Sequence, residues 1–503
     1  MTNKHKNLLL LILIIAFGIF LRTININRYL TWQDEAETII NSIQVIEDGY
    51  PHGYFKGKPM FESISFIKIN DPIYRYASAN YYGSKYENNK GWLTYYYLAP
   101  FIKTFGVSET STRLPFLLFY VLTTIVLYAF SNKLFKNKKI ALLATFIFAI
   151  DYFAIYHGQQ ARYYSIFIFL NIWSLYLNYL YLHSKKNIHL FWLTTSLILM
   201  FHTHIVLCLF LGLFFIYYDF IKTKKIKFNR YIIYNLAYFL LFTIPWLILV
   251  EFWVNFSTHD INNNKELTKL LWLLLIILVP IIIKYIFITI GKREKLRISK
   301  KINTYIFTFF SLYIIFVPLI IPAESLTTRI LSPLIPLSSI AFAILFWQIF
   351  IYKKEPKKYI IILLTGLLIY IPLFRILKAN GYGTANGIID ILDYAEKIKL
   401  SNDDLLTVNW QDFPIALKSD YNVYLTQTLQ PDFYNNYPNR ILTFFMYDHL
   451  YINNPTVHRT WLQQHDFWLY QDQFQDYKPR LEQCQKDWLN NHVLVFDCPA
   501  LSE

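Results

Sequence analysis

Two adjacent carboxylates stand out in the first polar segment of the chain. Asp34 and Glu35 lie shortly after an apolar run and just before an amphipathic stretch. A carboxylate so placed could serve as a general base for a substrate at a membrane surface. The spacing of Thr31 and Asp34 is also that of a capping box, and acidic residues favour the first turn of a helix. The two interpretations are compatible, because a capped helix end would hold Asp34 rigidly.

Four cations form a second set, at the ends of apolar segments on the side where positive charge is scarce. They are Lys90, Arg113, Arg162 and Arg329. Taken singly, each could extend its charge towards the lipid headgroups. Together they favour an anionic ligand, for which the bidentate fork of arginine suits a phosphate.

Histidines and cysteines add weaker candidates. His202 and His204 share a turn, and with Tyr163 we expect them to contact substrate rather than metal, since the i, i+2 spacing is not that of a zinc site. We predict no metal ligands, and a divalent metal is the alternative cofactor. Cys484 and Cys498 lie in the polar C-terminal tail, and would pair if that tail occupies an oxidising compartment.

Composition indicates the class of protein that must position these residues. Of 503 residues, 55% are hydrophobic and 16% are charged, against about 25% charged in soluble domains. The net charge of +15 does not indicate a nucleic-acid partner: residues 380–503 hold 16 Asp and Glu against 8 Lys and Arg, and the basic excess lies between apolar runs elsewhere. The chain is therefore predicted to be an α-helical polytopic membrane protein.

Apolar runs long enough to cross a hydrocarbon core of about 30 Å predict eleven spans. They cover residues 7–21, 113–130, 140–156, 163–182, 189–201, 204–221, 231–250, 267–290, 302–322, 329–352 and 359–377. With the N-terminus in the cytoplasm, the cytoplasmic segments hold 23 Lys and Arg, whereas the short outer loops hold only Arg162, Lys265 and Arg329. This asymmetry places both the long first loop and the C-terminal tail outside the cytoplasm.

Two domains follow from this arrangement. Residues 1–379 form the transmembrane domain, with a first extracytoplasmic loop at 22–92, and residues 380–503 form a small α/β domain. In the latter we predict helices at 386–398, 456–464 and 479–490, and strands at 405–409, 421–426, 441–447, 467–470 and 492–497. Paired cysteines would join the last helix to the last strand.

Five segments, in order, resemble the GT-C polytopic glycosyltransferases, which include protein O-mannosyltransferases, lipid A aminoarabinose transferases and Rgt-type lipopolysaccharide-core transferases. The segments are Asp34–Ala36, Lys90–Tyr96, Phe105–Pro115, Gln160–Tyr164 and Arg329–Pro333. The sequence departs from the family in two places: Lys90 is not followed by the two prolines of the family's Lys-Pro-Pro-Leu element, and Gln160 stands where relatives often carry an acid.

The resemblance implies an enzyme with Asp34 as catalytic base and Arg162, Lys90 and Arg329 around the donor phosphate. Glu35 would orient Asp34 or bind the acceptor, and Arg113 would join the phosphate-binding cations or only brace the loop. It implies transfer of a hexose or pentose, with inversion, from a polyprenyl-phosphate sugar to a hydroxyl of lipid A, another glycan or a protein of the cell envelope. No cofactor is assigned. The protein would lie in the inner (plasma) membrane. A transporter or flippase of lipid-linked sugars is the alternative, suggested by Asp151, an acid within a predicted span.

Overall fold

The structure is a computed structural model. It describes residues 3–24, 26–27, 31–52, 54–56, 58–59, 72–74, 86, 90–222, 230–252, 305–306, 308–313, 332–352, 384–408, 412–426, 429–446, 476–489 and 493–501.

The N-terminal region is helical. Its helices are α1 (Asn3–Thr23), α2 (Gln33–Asp48), α3 (Leu93–Phe105), α4 (Glu109–Arg113), α5 (Leu117–Phe135), α6 (Lys138–Ile150), α7 (Tyr152–Gly158), α8 (Tyr164–Ser184), α9 (Asn187–Phe201), α10 (Ile205–Phe215), α11 (Arg230–Leu249) and α12 (Ile335–Tyr352). A π-helical segment, Ile216–Lys222, continues α10, and a short hairpin pairs β1 (Tyr54–Phe55) with β2 (Lys58–Pro59). The sequence did not predict α3 as a helix.

Several helices are membrane spans by length and composition. Within the described residues these are His5–Thr23, Glu109–Phe135, Tyr164–Ser184 and Arg230–Leu249, with Lys138–Gly158 as a fifth if its bent pair of helices counts as one. Each coincides with a predicted span. Asn187–Phe201, Ile205–Asp219 and Ser332–Ile344 are shorter apolar helices at three more predicted positions. The predicted spans 267–290 and 359–377 lie outside the described residues, as does most of 302–322, so the number eleven stays a prediction.

The fifth span bends by 60° between α6 and α7. Asp151 occupies the break and caps α7, because its Oδ1 accepts a hydrogen bond of 2.8 Å from the amide of Ala154. The acid within the predicted span 140–156 thus accepts a hydrogen bond from a backbone amide that has no partner within the first turn of α7.

Apolar side chains from α3, α5, α6, α8 and α9 meet in one core. Leu98, Phe130, Ala144, Ile172 and Met200 are each fully buried there. This core also contacts the helix that carries the acidic pair, since Ile39 of α2 belongs to it.

The C-terminal region is an α/β unit. Its helices are α13 (Thr384–Lys397), α14 (Asp412–Lys418), α15 (Pro431–Asn435) and α16 (Lys478–Leu481); its strands are β3 (Leu405–Val408), β4 (Val423–Leu425), β5 (Ile441–Met446), β6 (Gln485–Leu489) and β7 (Val493–Cys498). The strands form one sheet in the order β4-β3-β5-β7-β6. The pairs β3–β4 and β3–β5 are parallel, and β5–β7 and β6–β7 are antiparallel.

The structure of this region differs from the prediction in several details. The helix predicted at 479–490 ends at Leu481, and Gln485–Leu489 is the edge strand β6. The helix α14 was not predicted. Cys484 and Cys498 form a disulfide that links the residue before β6 to the last residue of β7. The predicted helix 456–464 and strand 467–470 lie outside the described residues.

Candidate active site

The helix α2 carries the acidic pair in its first turn. Trp32 is its N-cap residue and makes no side-chain capping bond, so the capping box predicted from Thr31 is wrong. Asp34 and Glu35 instead stabilise the start of the helix, because their negative charges are attracted to the positive end of the helix dipole. The helix ends at Gly49, whose φ of 85° is the left-handed conformation that glycine adopts readily.

The side chains of α2 lie in three different environments. Ala36 and Ile40 are buried in the core of the C-terminal sheet and its helices, whereas Ile39 is buried in the transmembrane core. Asp34 and Glu37, three residues apart and therefore on one side of the helix, meet cations from elsewhere in the chain. Packing against two cores fixes the helix that presents these carboxylates.

Glu35 is held by Arg113, at the end of α4. Nε and Nη2 of Arg113 donate to the two carboxylate oxygens at 2.9 and 2.6 Å, and Nη1 donates to the carbonyl of Ile26 at 2.7 Å. The amide of Ala161 donates to the same carboxylate at 2.8 Å. The side chain of Glu35 is 1% exposed. Glu35 and Arg113, predicted as catalytic and phosphate-binding, thus brace the turn 159–163 against α2.

Asp34 is paired with Arg162, which lies in that turn. Nη2 of Arg162 is 3.2 Å from Oδ2 of Asp34, and Nη1 donates to the Asp34 carbonyl at 2.5 Å and to the Thr38 hydroxyl at 2.9 Å. Burial opposes the charge on Arg162, but the carboxylates of Asp34 and Glu37 outweigh it. The pKa of Arg162 is therefore raised well above its ordinary value.

Glu37 is a site residue that the sequence analysis missed. Its Oε2 accepts from Nη1 of Arg162 at 2.7 Å, and both its oxygens accept from Nζ of Lys90, at 2.7 and 2.6 Å. Its spacing of three from Asp34 was the available signal, because it predicts a second acid on the same side of the helix.

Exposure separates the site residues into two groups. The side chains of Asp34 and Lys90 are 14% and 24% exposed, whereas those of Arg162, Glu37 and Glu35 are 3%, 2% and 1% exposed. A ligand arriving at the site would therefore meet Asp34 and Lys90 first. Arg162, predicted as the leading phosphate ligand, lies beneath them against α2.

Lys90 owes its position to the backbone around it. The amide of Leu93 donates to the carbonyl of His202 at 2.9 Å, and a Cβ on Gly91 would lie 2.2 Å from the carbonyl carbon of His202. Only glycine permits this approach. The ring of His202 points elsewhere, with Nε2 donating to the carbonyl of Phe242 at 2.8 Å.

Tyr163 and His204 lie together near the buried cation. Their ring centres are 5.7 Å apart, and the guanidinium carbon of Arg162 is 5.3 Å from the centre of the Tyr163 ring. Nδ1 of His204 accepts from the amide of Leu207 at 3.3 Å and so caps α10. Arg329, the fourth predicted phosphate ligand, lies outside the described residues.

No three His, Cys, Asp or Glu side chains are grouped to hold a metal ion in the part of the chain that the structure describes.

Comparisons with known proteins identify a matching family and similar solved structures. Residues 89–249 match the family of dolichyl-phosphate-mannose-protein mannosyltransferases. The fold is similar to that of ArnT from Cupriavidus metallidurans in the apo state, with a TM-score of 0.59 and 12% identity over 97% of both chains. It is equally similar to the same protein bound to undecaprenyl phosphate, with a TM-score of 0.59, 13% identity and 97% coverage of each chain. No curated protein sequence matches the chain significantly.

Proposed function

We propose that the chain is a polytopic membrane glycosyltransferase of the GT-C type, which transfers a hexose or a pentose from a polyprenyl-phosphate sugar to an acceptor hydroxyl. The acceptor would be lipid A, another glycan or a protein of the cell envelope, and the reaction would take place at the outer face of the inner membrane. The observation that carries the proposal is the partly exposed Asp34 carboxylate, held at the start of α2 within a cluster of cations.

In this reaction Asp34 is the general base. The acceptor oxygen attacks the anomeric carbon from the face opposite the phosphate, and its proton passes to the Asp34 carboxylate. The bond from the anomeric carbon to the phosphate oxygen breaks, and its electron pair leaves with the polyprenyl phosphate. The configuration at the anomeric carbon is inverted. One carboxylate suffices, because the leaving group is already an anion and needs no general acid, unlike the leaving group in glycoside hydrolysis.

The exposure of the cations suggests a different role for each of them. We assign Lys90 to the donor phosphate, because it is the more exposed cation of the cluster. Arg329, outside the described residues, is assigned to the phosphate from the family resemblance alone. Arg162 holds Asp34 in place, and Arg113 holds Glu35. Tyr163, which borders Arg162, and His204, whose ring contacts that of Tyr163, are the candidates for contact with the sugar. Stabilising the charge that grows on a leaving phosphate is often the largest part of catalysis, so the loss of Lys90 should be costly.

The similar solved structure gives this proposal a chemical precedent. ArnT from Cupriavidus metallidurans binds undecaprenyl phosphate, a polyprenyl phosphate of the kind that the reaction would release. The transporter alternative rested on Asp151, and that residue caps a helix at a bend.

Asp34→Asn tests the proposal. With purified protein, a labelled polyprenyl-phosphate sugar and an envelope extract as acceptor, we expect the variant to lose transfer by about 10²–10⁴-fold, the usual contribution of a general base. Thermal unfolding should stay near that of the wild type. Asp48→Asn is the matched control, at the exposed end of the same helix. Near-normal transfer by Asp34→Asn would remove Asp34 from the mechanism.

A further inference from the structure

Glu37 occupies the point where two cations of the site meet. It accepts hydrogen bonds from Lys90 at 2.6 and 2.7 Å and from Arg162 at 2.7 Å, and its side chain is 2% exposed. The proposed reaction gives it no chemical step. A buried carboxylate is costly unless it is paired, so two cations around one acid suggest a specific use.

The charge balance of the cluster suggests that use. Asp34 and Glu37 contribute two negative charges, and Arg162 and Lys90 two positive ones, so these four groups are neutral as a set. A resident anion next to Lys90 weakens the attraction of that cation for a ligand anion. By Coulomb's law, the penalty grows with each negative charge that the ligand carries.

The two carrier lipids of the proposed reaction differ in this respect. A polyprenyl-phosphate sugar is a phosphodiester with one negative charge. The released polyprenyl phosphate is a monoester, which carries close to two charges above its second pKa of about 6. The repulsion from Glu37 therefore acts about twice as strongly on the product as on the donor.

We propose that Glu37 is a positioning residue that makes the site select the singly charged donor over the doubly charged product. It holds Lys90 and Arg162 in place and limits their net charge, so that the carrier leaves once its sugar has been transferred. This inference rests on the proposed function, because that function defines the two ligands. The inference extends the proposed function, because it assigns Glu37 as a residue that determines which carrier lipid the site prefers.

The test is equilibrium binding to the full-length protein in detergent. The probes are a short-chain polyprenyl phosphate and its methyl diester, both measured at about pH 8, where the monoester is doubly charged. Glu37→Gln keeps the shape and removes the charge, and Glu37→Asp keeps the charge. Glu47→Gln, the same change at an exposed position of α2, is the matched control.

In the wild type we expect the diester to bind at least as tightly as the monoester, and tighter binding of the monoester would contradict the proposed selection. Glu37→Gln should tighten binding of the monoester on the order of tenfold more than binding of the diester. Glu37→Asp and Glu47→Gln should keep the wild-type ratio of the two dissociation constants. A purely structural role for Glu37 would change both constants together, and that result overturns the inference while leaving the proposed function intact.

Two further outcomes are decisive. If the wild type binds neither probe, the use of a polyprenyl-phosphate carrier fails and the inference fails with it. If Glu37→Gln does not fold, Lys90→Gln replaces it, because loss of a cation beside Glu37 should weaken the monoester more than the diester. Equal weakening of both probes by Lys90→Gln contradicts the proposed charge selection.

Discussion

Arg162 contacts Asp34 at two points: Nη1 donates to its main-chain carbonyl at 2.5 Å, and Nη2 lies 3.2 Å from its carboxylate. One guanidinium therefore fixes both the backbone and the side chain of the residue that we assign as the base. The geometry makes Arg162 a residue that orients Asp34, and leaves the more exposed Lys90 to meet the donor phosphate.

Kinetics should separate these two cations. Arg162→Lys keeps the charge but loses the planar fork, so Asp34 loses its orientation; we expect kcat to fall by about 10²-fold with little change in the KM for the donor. Lys90→Gln removes a charge that the donor meets on binding and that stabilises the leaving phosphate, so the KM for the donor should rise about tenfold or more and kcat should fall as well. Steady-state kinetics with varied donor and a fixed acceptor measures both. Should Arg162→Lys change mainly the donor KM, the orienting role would be wrong.

The pair of Glu35 and Arg113 should matter for stability more than for chemistry. Both side chains are almost fully buried, and removing one partner of such a pair leaves a buried charge uncompensated, at a cost of about 3–5 kcal/mol. We expect Arg113→Ala to lower the melting temperature of the detergent-solubilised protein markedly. Lys56→Ala, which breaks the exposed pair with Asp420, should leave the melting temperature almost unchanged, because solvent screens such a pair. Comparable losses in the two variants would show that Glu35 and Arg113 do not brace the fold.

How far the sequence predicts the site depends on whether a signal is local. Asp34 could be identified because two adjacent acids beside an apolar run are unusual, and the cations because they interrupt otherwise uncharged span ends. The partners could not be identified, since Glu37 meets Lys90 and Arg162 across 53 and 125 residues of chain. Exposure, which separates Arg162 from Lys90, depends on that same tertiary contact.

The fold shows the same division. The long apolar helices α1, α5, α8 and α11 were predicted, because twenty apolar residues have few alternatives. The edge strand β6 was mistaken for a helix, since its polar residues carry little periodic signal and its conformation comes from pairing with β7. Nor does a local pattern show that Ala36 and Ile40 of α2 belong to the C-terminal core.

Gly91 should be intolerant of any side chain. A Cβ there would lie 2.2 Å from the backbone of His202, so Gly91→Ala must displace the segment that carries Lys90. We expect the donor KM to rise by about tenfold, as for Lys90→Gln, together with a loss of thermal stability. Gly212→Ala is the control, because nothing lies within 4 Å of a Cβ at that position, and alanine favours the helix α10. Wild-type kinetics for Gly91→Ala would show that Lys90 does not depend on this close approach.

The stability of the folded protein should depend on pH through the protonation of His202. Burial lowers its pKa below the ordinary 6.5, and the bond to the carbonyl of Phe242 offsets only part of this effect. Since the folded-state pKa is the lower one, the neutral ring contributes stability that is fully present above about pH 6.5 and is lost as the pH falls through the folded-state pKa. His202→Asn can keep a donor near Phe242 but does not titrate. Melting temperatures measured from about pH 8 down to about pH 5 should therefore fall more steeply for the wild type than for the variant, and parallel curves would mean that His202 does not contribute through its protonation.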